Sequence, residues 1–127
     1  MTLESKNIVA IDDTASIRAF LRVSLEDEGA KVYEASNARE GLELCKKIAP
    51  DLVVLDLGLP DMDGLDVLPQ IKAMQKDGRP PVVVLTVRKG KKTIAEAYQK
   101  GADAYLSKPF MVEDLLELIE DKINGKF

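Results

Sequence analysis

The amino-acid sequence predicts an α/β fold in which a parallel sheet carries helices on both faces. Three observations lead there. Short apolar runs alternate with longer amphipathic stretches five times along the chain, the pattern of repeated strand–helix units. The first, third and fourth runs are nearly unbroken Ile, Val and Leu. Strands half-exposed to water would alternate instead, so these belong in the middle of a sheet covered on both sides. Finally, 127 residues suit one domain, 1–127, large enough to bury a core without help from metals or disulfides.

The first strand is expected at 7–11. A first helix follows, with Ile17, Phe20, Leu21, Ser24 and Leu25 at helical spacing on its inner stripe. The second strand spans 31–35. Asn37 and Glu40 then form a capping-box pattern for a second helix over 38–48. The third strand is 52–55. A third helix is expected over 64–75, where Pro69 should kink it or push its start later. The fourth strand is 82–85, followed by a helix over 93–100 that Gly101 ends. The fifth strand is 104–106. Val112, Leu115, Leu116, Ile119 and Ile123 mark the last helix, closed by Gly125. Right-handed crossovers are expected between the strands.

Composition excludes several classes of function. The net charge of −4 repels a phosphate backbone, so direct nucleic-acid binding by this chain is not expected. With no His, the commonest general base and transition-metal ligand are missing. The single Cys45 rules out an intrachain disulfide and a Cys-based zinc site, and reads as a small buried apolar side chain. The N-terminus lacks the basic and apolar regions of a signal peptide, and no apolar run is long enough to span a membrane. A cytoplasmic location is the expectation.

The polar residues of interest fall where strands end. Asp12 and Asp13 follow the first strand, Asp56 the third, Thr86 the fourth and Lys108 the fifth. Ligands of open parallel sheets bind at that edge. Each residue alone has a plainer role. Asp12 and Asp13 could be turn or helix-cap residues, Thr86 a β-branched strand residue and Lys108 a solvated lysine. Asp56, in Leu-Asp-Leu, caps nothing obvious. Clustered carboxylates repel one another unless a cation intervenes, and oxygen-only ligands select Mg²⁺ or Mn²⁺. Pro109 would fix the direction of Lys108.

Five motifs in register then spell a family. Ile11-Asp12-Asp13, Leu55-Asp56-Leu57, Leu59-Pro60-Asp61-Met62-Asp63-Gly64, Val84-Leu85-Thr86 and the run from Gly101 through Lys108-Pro109-Phe110 match in order and spacing. The chain resembles the response-regulator receivers of two-component signalling. That resemblance implies a doubly wound sheet of strand order 2-1-3-4-5 flanked by five helices. It implies that Asp56 accepts a phosphoryl group from a phosphohistidine on a sensor histidine kinase or phosphotransfer protein. Asp12, Asp13, Asp56 and the backbone carbonyl of Gly58 would hold Mg²⁺ (or Mn²⁺), and Thr86 and Lys108 would meet the phosphoryl oxygens. Tyr105 would turn inward when Thr86 is drawn to the phosphate. A downstream effector protein or domain would read the face made by the fourth helix, fifth strand and fifth helix. Such a chain is not an enzyme in the ordinary sense: it catalyses only its own phosphorylation and dephosphorylation.

Two features depart from the pattern. Val87 stands where the family usually carries Ala, Gly or Ser; it either crowds the phosphoryl pocket or packs under the fourth helix. Residues 88–92 (Arg-Lys-Gly-Lys-Lys) are strongly basic, either as a solvated loop or as a docking surface for an acidic partner. A haloacid-dehalogenase-type phosphatase also uses a nucleophilic Asp, but it needs a second Asp where this chain has Gly58. The other alternative is a pseudo-receiver, an interaction module independent of phosphorylation.

Overall fold

The computed structural model of the chain describes residues 3–74, 76 and 79–125. Five strands, β1 (Asn7–Ile11), β2 (Lys31–Ala35), β3 (Leu52–Leu55), β4 (Val82–Thr86) and β5 (Ala104–Ser107), form one parallel sheet of order β2-β1-β3-β4-β5. The five helices are α1 (Ala15–Glu26), α2 (Ala38–Ile48), α3 (Gly64–Ala73), α4 (Lys91–Gln99) and α5 (Val112–Ile123). Among the described residues, no helix is long and apolar enough to cross a membrane.

Because side chains alternate along a strand, each central strand feeds two cores. Val9, Ile11, Val53, Leu55, Val82 and Val84 pack with Cys45, Leu68, Ile71 and Ala97 from α2, α3 and α4. Ile8, Ala10, Leu52, Val54, Val83 and Leu85 pack on the other face with Leu21 and Leu25 of α1 and Leu115, Ile119 and Ile123 of α5. The unbroken apolar runs of β1, β3 and β4 are thus explained by burial from both sides. Cys45 is buried, and desolvation pushes its thiol up to about 11.

Several local expectations change. Phe20 is 44% exposed; of the α1 stripe, Leu21 and Leu25 are buried against the sheet and Ile17 packs at their edge. Its ring instead meets Phe110 edge to face, centroids 5.8 Å apart. At α2, Asn37 caps as expected by accepting the Glu40 N–H at 2.8 Å. Glu40, however, reaches back to the N–H and hydroxyl of Ser36 rather than to Asn37. Pro69 does not delay α3, which starts at Gly64 under the Asp63 cap and is anchored by buried Leu65, Val67, Leu68 and Ile71. Gln75, the expected last residue of that helix, lies outside the described residues. Helix α4 starts two residues before the expected Thr93, its first turn closed by the Ile94 N–H on the Gly90 carbonyl. Two lysines, Lys91 and Lys92, therefore occupy the first turn, where they oppose the macrodipole.

Gly64 sets how closely α3 approaches the end of β3. A Cβ there would lie 2.5 Å from the Leu57 Cα and 2.7 Å from the Asp56 carbonyl oxygen, both backbone atoms that cannot swing away. At Gly58 a Cβ would meet nothing within 4 Å. Gly64→Ala is therefore expected to lower stability by about 1–3 kcal/mol through overpacking. Gly58→Ala should stay within about 0.5 kcal/mol of the parent. Urea unfolding of the two variants checks the contrast, and equal losses would contradict it.

Candidate functional site

The carboxyl ends of β1, β3, β4 and β5 meet at one edge of the sheet. The ladder itself carries them there. Ile11 lies opposite Leu55, so the next residues, Asp12 and Asp56, emerge side by side. The Asp56 N–H continues the ladder onto the Ile11 carbonyl at 2.9 Å, and the Asp12 N–H onto Ala35 at 3.0 Å. At the far side, the Lys108 N–H donates to the Thr86 carbonyl at 2.7 Å.

Asp12 and Asp56 are buried and Asp13 is exposed, and one carboxylate oxygen from each lies within 4.8 Å of the others. Lys108 reaches this cluster from β5. Its Nζ donates to Asp12 Oδ2 at 2.7 Å and to Asp56 Oδ2 at 3.3 Å. Burial acts to depress the lysine pKa, but the Asp12 hydrogen bond and the charges of Asp12 and Asp56 outweigh it and hold it above its ordinary value. The second oxygen of Asp12 accepts the Thr14 N–H at 2.9 Å, and that of Asp56 accepts the Gly58 N–H at 3.2 Å. Asp12 thus does both jobs weighed for it, turn residue and cluster member. Asp13 does not cap α1: the N-cap is Thr14, without a side-chain bond to the helix. The Lys108–Pro109 peptide bond is cis.

Thr86 is fully buried, its hydroxyl 3.5 Å from the Arg88 N–H. Tyr105 pairs with Val84 in the ladder, so by strand alternation Thr86 and Tyr105 share a sheet face as diagonal neighbours. The Tyr105 hydroxyl donates to the Arg88 carbonyl at 2.8 Å. Partial burial raises its pKa.

Val87 is 67% exposed, so it does not pack beneath α4. Its neighbour Arg88 is the residue that crosses the site. Nη1 donates to both carboxylate oxygens of Asp63, at 3.0 and 3.2 Å, and Nη2 to the Leu57 carbonyl at 3.4 Å. The basic segment is therefore divided: Arg88 is paired internally, while Lys89, Lys91 and Lys92 are exposed. Asp61 and Asp63 also emerge as structural participants. Asp63 before a Gly-led apolar run is a readable helix cap. No local signal points to Arg88, whose partner is 25 residues away.

Three hard carboxylates without a nitrogen or sulfur ligand make a cluster that could hold a divalent cation of the Mg²⁺ type. Comparison with known proteins agrees with the fold. Residues 8–120 match the family model described as response regulator receiver domain. The chain is 40% identical over 109 residues to the KDP operon transcriptional regulatory protein KdpE of Escherichia coli K12, covering 86% of this chain and 47% of that protein. The chain thus spans about half the length of the first curated relatives it matches. It is 34% identical over 119 residues to an uncharacterized 14.6 kDa protein of Leptolyngbya boryana, covering 94% of this chain and 91% of that one. Among solved structures, a CheY-like response regulator receiver domain protein from Methanospirillum hungatei superposes with a TM-score of 0.89 at 31% identity, covering 95% of each chain.

The Lys108 bridge has a pH signature. A lysine held above its ordinary pKa of about 10.4 stabilises the fold fully below that value and loses its contribution as pH rises through the folded value. In chelator-treated protein, Lys108→Met should cost about 3 kcal/mol at neutral pH by leaving buried carboxylates unpaired. That gap should stay flat up to about pH 10 and then narrow. Chemical denaturation of both proteins across this range measures it; a gap that widens in alkali would refute the assignment.

Proposed function

The chain belongs to the response regulator receiver family, and from that premise we propose that it is a phosphorylation-dependent switch whose acceptor is Asp56. The observation that carries this reading is the convergence of Asp12, Asp13, Asp56 and Lys108 at the carboxyl edge of the sheet. A carboxylate set of this kind fits Mg²⁺, which favours few protein ligands and leaves positions for phosphoryl oxygens. Asp12, Asp13, Asp56 and the Gly58 carbonyl would hold the ion, with Mn²⁺ an acceptable substitute. When bound, it offsets the negative charge that gathers on the phosphoryl oxygens.

The residues of the chain do the rest. An Asp56 carboxylate oxygen attacks phosphorus as the bond from phosphorus to the donor's imidazole nitrogen breaks, and the nitrogen keeps the electron pair. Lys108, already held between Asp12 and Asp56, needs only a small shift to place its ammonium on a phosphoryl oxygen. Thr86 is the hydroxyl donor for another oxygen. Movement of Thr86 and its loop then disturbs the Arg88 carbonyl, to which Tyr105 is tied. A two-state element at this edge is biased in this way toward an active form. The donor is a sensor histidine kinase or phosphotransfer protein, and the output partner reads the α4–β5–α5 face. With Gly58 where a phosphatase of the haloacid-dehalogenase type would carry its second Asp, the chemistry is confined to the chain's own acyl phosphate.

With a phosphohistidine donor or acetyl phosphate and Mg²⁺, the intact protein should gain one phosphoryl mass at an acid-labile site, and Asp56→Asn should gain none. Mass spectrometry decides; full labelling of the variant would move the acceptor elsewhere. Asp13→Ala should bind Mg²⁺ more weakly than the parent, whereas Glu117→Gln, on exposed α5 surface, should not. A charge farther off than about 10 Å is screened at ordinary salt. Isothermal titration gives both affinities, and equal values for the two variants would remove Asp13 from the ligand set.

A further inference from the structure

We propose that Asp61 is a positioning residue for this site, acting as a clamp that fixes the Gly58 loop to the N-terminus of α2. The inference rests on the reading above, in which the Gly58 carbonyl faces the cation. The loop from Leu57 to Gly64 is closed at its base by the Gly64 N–H on the Leu57 carbonyl at 2.8 Å. From its far side Asp61 leaves the loop altogether. Its Oδ1 accepts the Ala38 N–H at 2.8 Å and its Oδ2 the Arg39 N–H at 3.0 Å.

Those two N–H groups are the first two of α2, donors that a helix cannot satisfy internally. Asn37, the helix's own cap, takes the third, from Glu40. The N-terminus of α2 is therefore capped from two directions, once by its own chain and once by a residue 23 positions away. A carboxylate suits this place because the helix dipole and two charge-assisted bonds favour it. The Ala38 N–H is also the main cause that holds the Asp61 carboxyl below its usual range.

The anchor is itself fixed. Gly41 in α2 sits so close to β1 that a Cβ there would lie 2.4 Å from Ile11 Cδ1. Ile11 immediately precedes Asp12. Asp61 thus references the Gly58 loop to the same strand that delivers Asp12 and Asp13. At the other end of the loop, Asp63 caps α3 and pairs with Arg88. Asp61 touches no cluster residue and acts only through where it holds the loop.

The experiment compares Asp61→Ala, the milder Asp61→Asn and the control Asn37→Ala, which strips a different α2 N–H and touches no loop residue. Mg²⁺ titrations are followed by amide NMR shifts at a temperature where all are folded. Asp61→Ala should weaken Mg²⁺ binding by about tenfold, the lower end of the effect of removing groups that orient ligands. Asp61→Asn, left with one acceptor, should fall between, and Asn37→Ala should bind as the parent does while melting earlier. The difference should persist at about 0.5 M salt, where a bare charge effect is screened within a few ångströms. Equal affinities for Asp61→Ala and Asn37→Ala, or a loss that vanishes in high salt, would overturn the clamp. If the parent itself shows no Mg²⁺ response, the functional reading fails instead. The clamp is then decided by hydrogen exchange at the Gly58 and Gly64 amides. Exchange should quicken in Asp61→Ala but not in Asn37→Ala, and equal rates would reject it.

Discussion

Two neighbouring strands of this sheet end on carboxylates at the same level, and the rest of the site answers to that constraint. Because β1 and β3 run parallel with Ile11 opposite Leu55, Asp12 and Asp56 have no way to stay apart. Both are buried, where like charges repel strongly and water offers little relief. The Lys108 ammonium between them is the chain's own solution. It is also a provisional one: under the function proposed above, a small divalent ion or a phosphoryl group would meet charges already arranged at this edge, at little cost in reorganisation.

The loops around the cluster are held more by long-range bonds than by their own turns. Asp61 ties the β3–α3 loop to α2, and Arg88 ties it to the β4–α4 loop while lending its carbonyl to Tyr105. Gly64 allows α3 to start with backbone pressed against backbone. The consequence is a site whose parts are positioned by three different helices, yet whose charged groups come from strand ends alone. A scaffold of that kind keeps the chemistry rigid while leaving the loops free to differ in how firmly they are fastened.

The sheet was legible in the sequence because β1, β3 and β4 must be apolar on both faces, which leaves no other pattern for them to show. Helices α2 and α5 were legible from their caps and stripes. The start of α4 was not, since two lysines at a helix N-terminus run against the usual charge rule, and the helix begins there with Gly90 as its cap and Ala97 buried in the core. Phe20 was misplaced because periodicity finds a stripe but not its edge. Asp12, Asp56, Thr86 and Lys108 could be located because strand ends define the ligand edge of such a sheet. Asp61 and Arg88 could not: each looks like an ordinary surface charge until a partner more than 20 residues away is brought to it. Val87, weighed as packing under the fourth helix, faces water instead.

The bond between Lys108 and Asp12 joins positions 96 residues apart in the sequence. An N-terminal fragment ending before β5 holds the three carboxylates but not the ammonium that offsets them, so the charge balance at this edge is complete only when β5 has joined the sheet. Anything that bound this balanced edge would therefore favour the sheet with β5 in place over a chain in which β5 has come away. The few atoms that hold the charge balance thus fasten the last strand of the sheet to its centre.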